Sequence, residues 1–117
     1  MSKVKVYHNP RCGKSRNSLK LVQEQVDDGE IEIVKYLENP PSAEELKSIL
    51  AMLGIKAEEL IRKNEKTWKE NFKGKSFTEE ELVEIMVENP ILIERPIVVK
   101  GDKAVIGRPP ENVQEIL

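Results

Sequence analysis

Cys12 is the residue with the most chemistry open to it. It is the only cysteine in the chain, and the only histidine, His8, stands just before it. Both lie in the stretch Tyr7-His8-Asn9-Pro10-Arg11-Cys12-Gly13-Lys14-Ser15-Arg16-Asn17. A polar turn there joins an apolar run (Val4, Val6) to a helical pattern (Leu19, Val22, Val26), so the cysteine falls where a strand hands over to a helix. A helix start offers unpaired backbone N–H groups and a partial positive charge, a setting that binds anions and favours thiolate over thiol. Arg11, Lys14 and Arg16 add to the positive field, and Gly13 lets the backbone approach a ligand. Pro10, Arg11, Gly13 and Lys14 are poor company for a core residue. Cys12 therefore reads as a nucleophile at an oxyanion site rather than as a buried structural thiol. Ser15, three residues on, brings a hydroxyl within reach of the same thiolate from the first helical turn. His8, as a cation, would stabilise the thiolate.

Three arginines stand out by context. Arg62 follows Leu60 and Ile61 in what reads as a short helix, Ala57 to about Lys63. Arg95 precedes Pro96, and Arg108 precedes Pro109 and Pro110. A residue before proline is held extended, which makes these last two positions constrained ones. Other uses of a cysteine fail on spacing. The arginine of a phosphatase-type Cys-x5-Arg loop would fall at position 18, which is Ser18. There is no Cys-x-x-Cys, no phosphate-binding Gly-rich loop with Lys-Ser/Thr and no His/Cys metal cluster. A lone cysteine cannot form an internal disulfide, so redox chemistry at Cys12 needs a thiol from another molecule.

The elements that must carry these residues follow from pattern. Residues 3–8 alternate and read as a strand, Cys12 to about Asp27 as a helix stopped by Gly29, and residues 31–37 as a second strand. Glu38-Asn39-Pro40-Pro41 breaks it. Ser42-Ala43-Glu44-Glu45 and Thr78-Glu79-Glu80-Glu81 are capping boxes that open helices ending at Gly54 and at Asn89-Pro90, and their acidic residues are explained by capping and the helix dipole. Residues 64–75 are polar around Trp68 and Phe72, with room for one helical turn. Pro96–Val99 and Ala104–Ile106 read as strands of an antiparallel hairpin about Gly101-Asp102, followed by a short helix with Val113, Ile116 and Leu117 on its apolar face. The order βαβ, helical block, ββα is that of an α/β thioredoxin-like mixed sheet with an inserted helical subdomain. The expected organisation is a single domain with core 1–39 and 90–117 and a helical insertion at 40–89.

Composition removes other classes. A chain of 117 residues with 38% apolar and 34% charged residues can fold as one domain, and a net charge of −2 gives no global field for nucleic acid or an anionic membrane. No apolar run approaches the ~20 residues of a membrane span. The N-terminus, Met1-Ser2-Lys3-Val4-Lys5, has no signal-peptide apolar block, so a cytoplasmic location is expected.

Five stretches carry a resemblance. They are Tyr7-His8-Asn9-Pro10-x-Cys12-x-x-Ser15-Arg16-Asn17, Tyr36-Leu37-Glu38-Asn39-Pro40-Pro41, Leu60-Ile61-Arg62-Lys63, Asn89-Pro90-Ile91-Leu92-Ile93-x-Arg95-Pro96-Ile97-Val98-Val99 and Gly107-Arg108-Pro109. In this order, and over nearly the whole chain, they resemble the glutaredoxin-coupled arsenate reductase family, and with Leu117 following soon after Arg108 they resemble its short, arsenate-reductase-like branch. The resemblance implies a thioredoxin-like fold and reduction of arsenate by glutathione, with glutaredoxin recycling the thiol and no tightly bound cofactor. It implies Cys12 as nucleophile, Arg62, Arg95 and Arg108 as oxyanion ligands, and Pro96 as the cis-proline set beside the cysteine, where the thiol partner binds. Two further readings stand beside it: a glutathione-dependent thioredoxin-like reductase of another substrate, and a Spx-type regulator that binds RNA polymerase. The best-known Spx-type members carry Cys-x-x-Cys, whose second position here is Ser15.

Overall fold

Strand β1, Val4–Tyr7, is the centre of the fold. Its period-2 alternation sends Val4 and Val6 into the core. It pairs in parallel with β2 (Ile31–Val34) and antiparallel with β3 (Ile97–Lys100), which pairs antiparallel with β4 (Lys103–Ile106). The sheet order is β2-β1-β3-β4. The β3–β4 turn is Gly101-Asp102, with Lys100 opposite Lys103. Gly101 takes φ 63°, the positive value a two-residue hairpin turn requires at its first central position.

This is a computed structural model, and it describes residues 3–117; the N-terminal reading for Met1 and Ser2 lies outside them. The chain divides into two units: the chain up to Asn39 together with Arg95–Leu117, and Pro40–Glu94. The first unit holds the sheet and helix α1 (Gly13–Gln25). Val4, Val6, Val22, Val98 and Val113 form its core, flanked by half-buried Leu19, Ile116 and Leu117. Burying each such side chain stabilises the fold by roughly 1.5–3 kcal/mol. The last helical segment, Pro110–Glu115, is a 3-10 helix whose Val113 closes that core.

The second unit holds α2 (Ala43–Leu53), α3 (Ala57–Leu60), α4 (Lys66–Asn71) and α5 (Glu79–Glu88). Ser42 caps α2 through the Glu45 N–H, and Thr78 with Glu81 forms a complete capping box on α5. Gly54 ends α2 in the left-handed conformation, φ 70°, its N–H on the Leu50 carbonyl. Trp68, Phe72 and Phe77 meet edge to face or tilted at centroid separations of 5.5–5.9 Å, which supplies the core for a segment otherwise polar. The first unit is an α/β thioredoxin-like mixed sheet, and the second is the helical insertion in its sequence.

Three sequence expectations are corrected. Helix α1 stops at Gln25, and Gly29 lies inside a following 3-10 turn, Asp28–Glu30, without the positive φ of a helix-stopping glycine. Strand β2 ends at Val34 rather than residue 37, because the Lys35 carbonyl takes the N–H groups of Glu38 and Asn39 and curls the chain into a turn. Arg62 is not helical. α3 closes at Leu60, and Ile61 bridges antiparallel to Ile93, with the Arg62 N–H on the Leu92 carbonyl at 2.7 Å and the Glu94 N–H on the Leu60 carbonyl at 3.0 Å.

Candidate active site

The turn before α1 is built by its own polar groups. The Cys12 N–H donates to the Asn9 carbonyl at 3.0 Å, and the Arg11 N–H donates to Asn9 Oδ1 at 3.0 Å. The Arg16 guanidinium reaches back to the Pro10 carbonyl at 2.7 Å. Cys12 takes an extended conformation (φ −95°, ψ 120°) as the N-cap of α1, and its carbonyl accepts the Arg16 N–H. The first free N–H groups of the helix, those of Lys14 and Ser15, therefore turn toward the Cys12 sulfur and hydrogen-bond it.

Buried polar side chains concentrate at this place. His8, Asn9, Ser15, Ser18 and Arg95 are the polar residues buried among those described, and all five belong to the first unit. Ser15 Oγ accepts the Asn9 N–H at 3.0 Å and shares a 2.7 Å hydrogen bond with His8 Nδ1. Ser15 thus meets the thiolate through its backbone N–H, while its hydroxyl serves the turn.

Opposed effects set the ionisation of Cys12. Burial is the largest single influence and pushes the thiol pKa up. The Ser15 N–H, a hydrogen bond from the Arg95 guanidinium, the Lys14 N–H and the Arg95 charge together outweigh it, and the pKa falls below its ordinary value. His8 moves the other way from the expectation of a cation. Burial, and then the nearby charges of Lys35 and Arg16, lower its pKa, so the neutral imidazole is favoured. Its connection to the cysteine runs through Ser15.

Arg95 is 8% exposed and sits at the foot of β3, in front of Pro96. Both the Arg95–Pro96 and Arg108–Pro109 peptide bonds are cis. Arg108 belongs to the same unit and is half-buried at the end of β4. Arg62 belongs to the second unit, where its Nη1 pairs with Glu94 Oε1 at 2.8 Å. Among the described residues no group of His, Cys, Asp and Glu is arranged to hold a metal ion, and no helix is long and apolar enough to cross a membrane.

Two residues at this site were not singled out from the sequence. Ser18 is fully buried, and its hydroxyl donates to the Gly107 carbonyl at 2.8 Å, which ties α1 to the end of β4 directly before Arg108. The Gly107 N–H donates to the Pro96 carbonyl at 2.9 Å. A Cβ on Gly107 would lie 2.6 Å from Ser18 Oγ and 3.0 Å from Pro96 Cγ. The available signal was the run Ser15, Ser18, Val22, which sets two small polar side chains beside an apolar one on the buried face of a helix.

The ArsC family profile matches residues 7–116. The chain is 52% identical to the "Uncharacterized protein YfgD" of Escherichia coli K12 over 97% of this chain and 96% of that protein. It is 42% identical to the arsenate reductase of Acidiphilium multivorum over 100% of this chain and 82% of that one. A solved structure described as a putative arsenate reductase from Yersinia pestis superposes with a TM-score of 0.90 at 48% identity, covering 97% of this chain and all of that one. With a family match over nearly its full length, and a helix-start cysteine facing a buried arginine, the chain belongs to the ArsC family.

Proposed function

We propose that the protein is an arsenate reductase in which Cys12 attacks arsenate and external thiols supply the electrons. The observation that carries this reading is the pairing of a low-pKa thiol with a buried guanidinium: Arg95 hydrogen-bonds the Cys12 sulfur while backbone N–H groups of α1 face the same atom. A thiolate and fixed donors at one point suit attack on a tetrahedral oxyanion. Family membership, with curated arsenate reductases among the relatives, supports arsenate as that oxyanion.

In this scheme the Cys12 thiolate forms a bond to arsenic, and one protonated arsenate oxygen leaves as water. Arg95 and Arg108 offer planar forks to the remaining oxygens. A glutathione thiolate then bonds to the arsenic, and a second protonated oxygen leaves as water. Glutaredoxin, the proposed thiol partner, takes the glutathionyl sulfur as a disulfide, presented beside Pro96. The electron pair of the broken S–As bond stays on arsenic, which becomes As(III). Water displaces Cys12 and releases arsenite. In net terms arsenate and two thiols give arsenite, a disulfide and water. Ser15 and His8 hold the turn that aims the helix N–H groups, and so tune the thiolate by position.

The test is a coupled assay with arsenate, glutathione, glutaredoxin and an NADPH-driven recycling system. Arsenate-dependent NADPH oxidation that disappears in Cys12→Ser is the expected result. Turnover no greater than that of Cys12→Ser would refute the proposal.

A further inference from the structure

The first unit carries a cavity of about 310 Å³, and of the side chains around it only His8 and Asn9 serve the site above, both by holding its turn. One wall is the segment His8–Arg11 that leads into Cys12. The other is Lys35, Leu37 and Glu38, in the turn after β2. We propose that this cavity is the glutathione site, with the two carboxylates of the tripeptide on Arg11 and Lys35, its ammonium on Glu38 and its cysteinyl methylene over Leu37. The inference rests on the glutathione-dependent reading and places the co-substrate within it.

Four observations carry it. The volume falls at the lower end of the range of small-molecule sites, roughly 300–1,000 Å³. The charges match: glutathione has two carboxylates and one ammonium, and the walls offer two cations and one anion. Among the described residues, the side chains of Arg11, Lys35 and Glu38 enter no ion pair, so their charges are uncommitted. Leu37 is one of the exposed large hydrophobic residues of the chain, at 37%, and an apolar side chain among three free charges suits a ligand that is charged at its ends and apolar between them.

The cavity is also built on fixed backbone. Asn9, 4% exposed, holds the Arg11 N–H with its side-chain oxygen. The Lys35 carbonyl holds the Glu38 and Asn39 N–H groups, so Lys35 and Glu38 project from one tight turn. The His8 N–H donates to the Val34 carbonyl at 2.8 Å and locks the two walls together. Preorganised walls lower the ordering cost of binding a flexible peptide.

The probe is S-methylglutathione, which keeps every charge of glutathione but cannot exchange thiols. It is titrated into reduced, isotope-labelled wild-type protein while backbone amide shifts are followed. The expected shifts gather on His8–Arg11 and Lys35–Glu38. Lys35→Glu, an exposed substitution, should weaken binding about five- to tenfold, by loss of one exposed pair and addition of a repulsion. Shifts absent or gathered elsewhere, or a Lys35→Glu dissociation constant equal to that of wild type, would overturn the proposal. Arsenate turnover is measured on the same preparation. Binding at the cavity without arsenate reduction would support this site and refute the choice of arsenate. Arsenate reduction without binding at the cavity would refute this site alone.

Discussion

Gly107→Ala tests how the arginine-bearing end of the sheet is registered against the cysteine helix. The added Cβ meets Ser18 Oγ at 2.6 Å, Pro96 Cγ at 3.0 Å and Ser18 Cβ at 3.1 Å. Ser18 can swing its hydroxyl away, but that gives up the 2.8 Å hydrogen bond to the Gly107 carbonyl inside the core. Pro96 Cγ and Ser18 Cβ belong to stiff groups, so the rest of the clash is relieved only by moving backbone. Overpacking of this kind costs about 1–3 kcal/mol, and leaving the serine hydroxyl or the carbonyl unsatisfied costs about 1–3 kcal/mol more. Part of the two costs is one event, so the expected loss is about 2–4 kcal/mol, a large fraction of a typical domain stability of roughly 5–15 kcal/mol.

Urea unfolding measures this as a lowered midpoint at unchanged slope. Ser18→Ala in the same background decides the cause. It removes the 2.6 Å contact, so the double variant should lose about 1–2 kcal/mol less than the two single variants predict together. Because Gly107 precedes Arg108, the KM for arsenate should also rise in Gly107→Ala and recover in part in the double variant. A fully tolerated Gly107→Ala, or strictly additive costs, would refute the idea that Gly107 and Ser18 set this register.

Other substitutions probe the thiolate directly. Arg95→Ala removes a hydrogen bond and a positive charge from the Cys12 sulfur but leaves its burial, so the pH midpoint of Cys12 alkylation should move up. Turnover should fall about 10²- to 10³-fold, as when a fixed donor is lost from an oxyanion site; an unmoved alkylation profile would show that Arg95 does not face the sulfur. His8 supplies a stability signal. Its folded-state pKa lies below the ordinary value of 6.5, so the unfolded chain binds the proton first on acidification. The stability it contributes is fully present above pH 6.5 and is lost as pH falls through the folded-state value. Urea midpoints should drop between neutral and mildly acid pH, and His8→Gln should flatten that drop; equal slopes in both proteins would contradict a neutral buried imidazole.

What could be read from the sequence was what local chemistry decides. The Thr78–Glu81 capping box, the Ser42 cap, the Gly54 stop and the Gly101-Asp102 hairpin formed as their residues require, because each is settled within a few residues. Features settled by distant contacts were misread. The apolar pair Leu60-Ile61 fits a helix as well as a strand, and only Ile93, far along the chain, makes it a bridge that draws Arg62 out of α3. Gly29 looks like a helix stop by type, yet α1 ends before it at Val26, whose N–H closes on Val22. Cys12, Ser15, His8 and Arg95 were visible as chemistry-bearing residues in constrained places. Ser18 and Gly107 were not, since neither a buried serine nor a close-packed glycine announces a partner that lies 89 positions away.

The concentration of buried polar groups around the start of one helix explains why the Cys12 pKa is lowered. A thiol placed there with no donors would be held neutral by burial, the largest influence on it. The helix start alone does not make the thiolate, because its N–H groups reach the sulfur only if the turn from Asn9 to Cys12 is held. Asn9, Ser15 and His8 hold it, through the hydrogen bonds of Ser15 Oγ to His8 Nδ1 and the Asn9 N–H and of Asn9 Oδ1 to the Arg11 N–H. The remaining donor, Arg95, comes from the bend just before β3, distant in the chain. Ionisation of Cys12 is therefore a property of the folded first unit rather than of the heptapeptide around the cysteine. A peptide spanning Asn9 to Ser15 should titrate as an ordinary thiol, and Cys12 should lose its low pKa in step with global unfolding. If alkylation at mildly acid pH stayed fast in urea beyond the unfolding midpoint, local charge from Arg11, Lys14 and Arg16 would be the cause instead.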